Sequence, residues 1–138
     1  MGYMGYALVA MGAYGVTAIF LKVGMRSMPA EVTLVITNVV LVVVGVALAV
    51  ARNQAITPHL KMGWPLLFVI LAGLTLSVSI VSYYTALSRG PVSVVVPIFG
   101  MSLAVAGTLG ILFLGEEVKI TRLVGFVLAG GSIFLITR

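Results

Sequence analysis

The chain has 138 residues, 62% of them hydrophobic and only 8% charged, with a mean hydropathy of +1.28; a soluble domain of this length needs far more polar surface, so the composition is that of a polytopic membrane protein. It has no cysteine, which excludes a disulfide framework, a thiolate metal site and a thiol nucleophile, and the single His59 has too few companions for a metal site. The net charge of +5 is carried by basic residues standing one or two at a time at the ends of apolar runs, which is headgroup anchoring and argues against nucleic acid as a partner.

The first apolar run lacks a basic leader and continues for about 20 residues, the length of a span and longer than the core of a cleavable signal. It predicts a retained membrane helix over about 3–24. Gly5, Gly12 and Gly15 leave room for a neighbouring backbone, and Tyr14, Thr17 and Lys22 make its second half polar. Lys22, near the end of the span, reads as a lysine reaching for the interface or as a fixed charge at the mouth of a solute path. Ser27-Met28-Pro29-Ala30-Glu31 predicts a turn with proline at the first helical position and a glutamate at the positive helix end. The second span, about 32–51, holds Asn38, the one carboxamide inside any span. It must bond a partner helix or face a wet cavity.

Residues 52–63 form the longest polar stretch, with a short helical turn expected after Thr57-Pro58. Trp64 marks the interface again. The third span covers about 64–88, and a helical wheel puts Thr75, Ser79 and Ser82 on one face with Tyr83 at its edge and Tyr84 opposite. Hydroxyls can satisfy themselves on their own helix, so the adjacent tyrosines say more than the stripe, with an interfacial aromatic belt as the plain alternative. Arg89-Gly90-Pro91 is a tight turn. The fourth span, about 92–114, carries Pro97 in its second turn, where a backbone hydrogen bond is lost and the helix is expected to break. Ser102, Ala106 and Gly110 repeat every four residues as a packing seam. Gly115 is expected to stop this helix before Glu116 and Glu117. Thr121 is expected to cap the fifth span, about 121–137, in which Gly125 and Ala129 supply small packing residues. The fold class predicted is therefore all-α, a five-transmembrane-helix bundle occupying 1–138 as one domain.

With five spans the termini lie on opposite sides. Arg52, Lys61, Lys119 and Arg122 then share the side of the N-terminus, and Lys22, Arg26, Arg89 and Arg138 lie opposite. Orientation follows the excess of Lys and Arg in short loops, and here there is none. A chain without bias can insert both ways and pair with an inverted copy, an arrangement akin to the inverted repeats of many transporters.

The stretches YGVTAIFLKVG (14–24), YYTALSRGPVSVVVPI (83–98) and FLGEEVKITRLVGFVLAGGSIFL (113–135) resemble, from end to end of the chain, a single EamA-type domain of the drug/metabolite transporter superfamily. Members of that superfamily usually carry two such five-span repeats, inverted relative to one another; one repeat here implies self-pairing as an antiparallel homodimer, or pairing with a second EamA-like chain. The resemblance implies a multi-pass protein of the inner (plasma) membrane that moves small metabolites, amino acids among them, by alternating access and without a cofactor. The path expected from it and from the polar residues above comprises Tyr14, Thr17, Lys22, Asn38, Ser79, Ser82, Tyr83 and Pro97, and Glu116 is expected to mark the end of the fourth span. A lipid-linked-sugar flippase subunit and a non-transporting membrane scaffold are the alternative functions. No nucleophile–base pair or carboxylate pair suggests an enzyme.

Overall fold

A computed structural model of the chain describes residues 2–61, 63–115, 117 and 119–136. Every regular element among them is helical: α1 (Tyr3–Gly24), α2 (Ala30–Ala51), a 3-10 turn (Thr57–Leu60), α3 (Trp64–Arg89), α4 (Val92–Gly100), α5 (Ser102–Leu114) and α6 (Ile120–Ile136). Among the described residues four stretches are long and apolar enough to cross a bilayer, namely α1, α2, α3 and the near-continuous Val92–Leu114. The 17 residues of α6 stand at the short end of the spanning range. This is an all-helical, multi-pass membrane protein.

Helix boundaries follow local chemistry. Pro29 stands one position earlier than expected, as the residue before the helix (φ −57°, ψ 150°), because its extended ψ cannot continue into a helix and Ala30 takes the first helical position. Its carbonyl accepts the Thr33 N–H at 3.1 Å, and Glu31 sits in the first turn, where a negative charge complements the exposed N–H groups. At the other end of α2, Asn53 adopts φ 51°. Its N–H bonds the Val50 carbonyl at 3.0 Å, and the Gln54 N–H bonds the Ala49 carbonyl at 2.9 Å. These are the two bonds of a Schellman motif, with asparagine in the left-handed position that glycine more often fills. Gly115 closes α5 in that conformation too, at φ 66°. Helix α6 starts at Ile120, so Thr121 lies inside the first turn and does not cap it. Glu116, expected to mark the end of the fourth span, lies outside the described residues.

Pro97 does not break its helix. It lies inside α4, and the interruption comes at Met101, whose N–H bonds the Ile98 carbonyl at 3.1 Å, three residues back. A proline disturbs the turn before it by leaving the carbonyl four residues back without a donor. The tightening downstream belongs to Gly100, a residue with little helix preference.

The chain divides into two compact units, Met1–Lys22 with Arg89–Arg138, and Val23–Ser88. In the first, α4 packs on α5 and α6, and α5 meets α6 where Gly107 faces Phe126. A Cβ built on Gly107 would stand 2.5 Å from Phe126 Cζ, so the missing side chain is what lets the ring lie there. Met101 Cε reaches 3.8 Å from the corresponding Cβ position of Gly130. Two glycines of α1 behave differently: among the described residues no other element comes within 4 Å of a Cβ built on Gly12 or Gly15. In the second unit, α2 and α3 carry the buried Thr33, Tyr83, Tyr84 and Leu87.

Candidate functional site

In the first unit, one face of α1 holds Tyr14, Ala18, Leu21 and Lys22 at helical spacing. Ala18 and Leu21 are buried, at 1% and 6% exposure, while Tyr14 stays exposed at the surface of that face. Its ring stacks on Phe99 of α4 with centroids 5.7 Å apart and planes 9° from parallel, an arrangement that adds about 0.5–1.5 kcal/mol to area burial. Phe99 stands two residues after Pro97, so an aromatic pair borders the segment where the fourth span changes course. Sequence reasoning missed Phe99, because an isolated phenylalanine in an apolar run looks like any lipid-facing residue.

The half-buried Lys22 does not simply trail into the headgroups. Its Nζ donates to the Gly90 carbonyl at 2.8 Å, in the turn that opens α4. Pro91 follows with no N–H of its own, and its carbonyl takes the N–H groups of Val94 and Val95. The lysine thus ties the end of α1 to the start of α4 with a charge-assisted bond.

The second unit is joined by polar groups. Thr37 Oγ1 on α2 and Tyr84 Oη on α3 lie 2.8 Å apart. Thr37 Oγ1 also bonds the Thr33 and Leu34 carbonyls at 2.9 and 3.1 Å, and in the bond to Tyr84 either hydroxyl can be the donor. Tyr83 meets Tyr84 edge-on, with centroids 6.1 Å apart and planes at 72°. Tyr83 and Tyr84 are buried at 3% and 7% exposure, which separates them from an interfacial belt. Breaking the link has a defined expectation. Thr37→Val and Tyr84→Phe should each lower stability by about 1 kcal/mol. The pair should show a coupling of about 0.6 kcal/mol, and at most about 1.7 kcal/mol, in a double-mutant cycle of unfolding midpoints, the mean and maximum measured for bonds between membrane helices. Strict additivity would show that the bond carries nothing.

Several other hydroxyls turn inward on their own helices. Thr17 donates to the Ala13 carbonyl, Ser82 to Val78 and Ser77 to Gly73, each at 2.8 Å. With the proton spent on the backbone, each oxygen offers lone pairs only, so such a residue meets a solute as an acceptor. Ser79 is exposed on α3. Asn38 Nδ2 donates to the Leu34 carbonyl at 2.8 Å, and its side chain borders an open cleft of about 490 Å³ between α2 and α3, along with Ser77 and otherwise aliphatic residues. Of the expected packing residues, Gly110 is buried, Ala129 half-buried, and Ser102, Ala106 and Gly125 exposed. The small residues of α5 that lie against neighbours are Ala104, Gly107 and Gly110, spaced by three.

Among the described residues no group of histidine and acidic side chains could hold a metal ion. The first unit contributes the Tyr14–Phe99 stack and Lys22, and the second, by itself, the tyrosine pair and the backbone-bonded hydroxyls of α3. Helices of this length and apolarity define a multi-pass membrane protein.

The family model of the EamA-like transporter family matches residues 1–138, and the chain belongs to that family. It is 30% identical over 131 residues to a protein of a Sinorhizobium species named as an uncharacterised transporter in the cobO 3′ region, an alignment covering 94% of this chain and 93% of that relative. No solved structure matches the chain.

Proposed function

We propose that the chain transports small metabolites, amino acids or related solutes, by alternating access, and that it works in the inner membrane as an antiparallel homodimer. The observation that carries this reading is the even division of the basic residues, four on each side of a five-span chain, which leaves nothing to fix orientation. Membership of a transporter family supports the activity, and the relative of matching length that bears a transporter's name supports its being performed at this chain length. In such a dimer each copy supplies one of two inverted repeats around a midplane path. Within the first unit, the exposed Tyr14 ring on its Phe99 partner offers an aromatic wall to an amphipathic solute.

The three acidic residues are Glu31, Glu116 and Glu117, the first at a helix start and the others between α5 and α6. Glu31 stands at the very start of α2 and no carboxylate lies deep in a span to ferry a proton, so the proposed cycle is exchange or facilitated flux. Liposomes bearing the purified protein and loaded with unlabelled amino acids should accumulate the labelled solute by counterflow. Collapsing an imposed pH gradient should leave that accumulation unchanged, and Tyr14→Leu should slow it. Absence of flux for every solute in a broad panel, with a monomer by crosslinking, would point to a scaffold and end this reading.

A further inference from the structure

Two polar residues, Asn38 and Ser77, line the cleft between α2 and α3. Asn38 lies about 4 Å from the midpoint of α2 along its axis, and Ser77 within about 1 Å of the midpoint of α3. Around them the cleft is lined by aliphatic side chains, and the most apolar stretch of α2, with mean hydropathy 2.8, has none of its residues buried in the chain. Among the described residues the Asn38 carboxamide makes one bond, to its own helix. Its oxygen and second N–H are left in the hydrocarbon, which is costly for an amide and is relieved by another helix. Lipid tails offer no partner there.

An axis lying in the membrane plane adds a restriction. In an inverted pair, a residue above the midplane meets one equally far below it, and only residues at the midplane meet their own counterparts. Asn38 stands within one helical turn of the middle of α2, near enough for two carboxamide side chains to meet across the axis. The lining residues Val35, Asn38, Val39 and Val42 share one face of α2 at spacings of three and four. From these observations, and resting on the antiparallel reading above, we propose that the cleft receives α2 of a second, inverted copy, with the two Asn38 carboxamides bonded across the dimer axis. The contact is isologous, each α2 filling the other's cleft. A crossing at Val39 sets Val35 of one copy beside the Val43 of its partner, while the two Val35 residues stand about 12 Å apart along the axis, beyond disulfide reach of about 7 Å between Cα atoms.

The chain has no cysteine, so the test is free of background. Differently tagged Val35→Cys and Val43→Cys chains are co-expressed and oxidised in native membranes. The mixed pair should form about tenfold more disulfide dimer than either variant alone, given that separation. Asn38→Leu should lower the dimer fraction while leaving the melting of the single chain near wild type. Strong dimer from Val35→Cys alone would mean a parallel pair, overturning both this inference and the antiparallel reading. No dimer from any combination, with counterflow and dual orientation intact, would make this face lipid-exposed and overturn the inference alone. A wild-type dimer fraction in Asn38→Leu would overturn the role given to the carboxamide.

Discussion

Gly107→Leu is expected to lower the unfolding midpoint in detergent sharply and to reduce the yield of folded protein. Already at the first carbon of a new side chain, the distance to Phe126 Cζ is 2.5 Å, about an ångström inside ordinary contact. The obstacle is the tip of a rigid ring, which can yield only by swinging as a whole and opening the α5–α6 contact. Overpacking of this kind costs about 1–3 kcal/mol. For Gly107→Ala the gain in helix preference, about 1 kcal/mol, offsets part of that cost, so alanine should be mildly destabilising and leucine severely so. Phe126→Ala should cost stability by itself but make the Gly107→Leu background more tolerant, since it removes the clashing ring. A Gly107→Leu protein melting like the wild type would show that α5 and α6 do not meet at this residue.

Single charge changes should swing the orientation of the chain in opposite directions. Arg26→Ala removes one of four basic residues from its side, and Lys61→Ala removes one of four from the other. Both side chains are exposed, so packing is little affected. Because Lys and Arg in short loops near span ends set orientation, a chain at balance responds to a change that a strongly biased chain would ignore. Paired cytoplasmic and periplasmic reporters at the C-terminus should give both signals in the parent. In Arg26→Ala the side bearing Lys61 should turn to the cytoplasm, and in Lys61→Ala the side bearing Arg26 should. Counterflow should fall in each variant and recover when the two are co-expressed, since each supplies the orientation the other lacks. A parent that gives one signal only, or variants that leave the ratio unmoved, would remove the basis for an inverted pair.

Much of this protein is legible in one dimension because lipid makes the rules severe. A backbone in hydrocarbon must bond to itself, so apolar runs of spanning length become helices whatever surrounds them, and α1, α2 and α3 follow from hydropathy alone. Local chemistry also marks Gly115, whose left-handed φ is easy only for glycine, and the turn at Gly90-Pro91. The break at Met101 was harder to place, because Pro97 is the conspicuous residue and the loosening lies a turn beyond it. Position along the chain likewise does not say whether a tyrosine pair marks the interface or lies buried, as Tyr83 and Tyr84 do.

The amino-acid sequence by itself determined the class of protein, the long apolar segments that become helices, the balance of charge and the membership of a transporter family. Each of these depends on the composition of a short window or on a pattern of consecutive residues. Only the tertiary structure decided what the individual side chains meet: Lys22 on the Gly90 carbonyl, Tyr14 on Phe99, Thr37 on Tyr84, Phe126 in the space left by Gly107. These pairs are separated by between 19 and 85 positions. Their partners are set by how helices pack, and between membrane helices hydrophobicity does not discriminate, because lipid is as apolar as leucine. Close packing and the few hydrogen bonds make the choice, and both depend on three-dimensional fit.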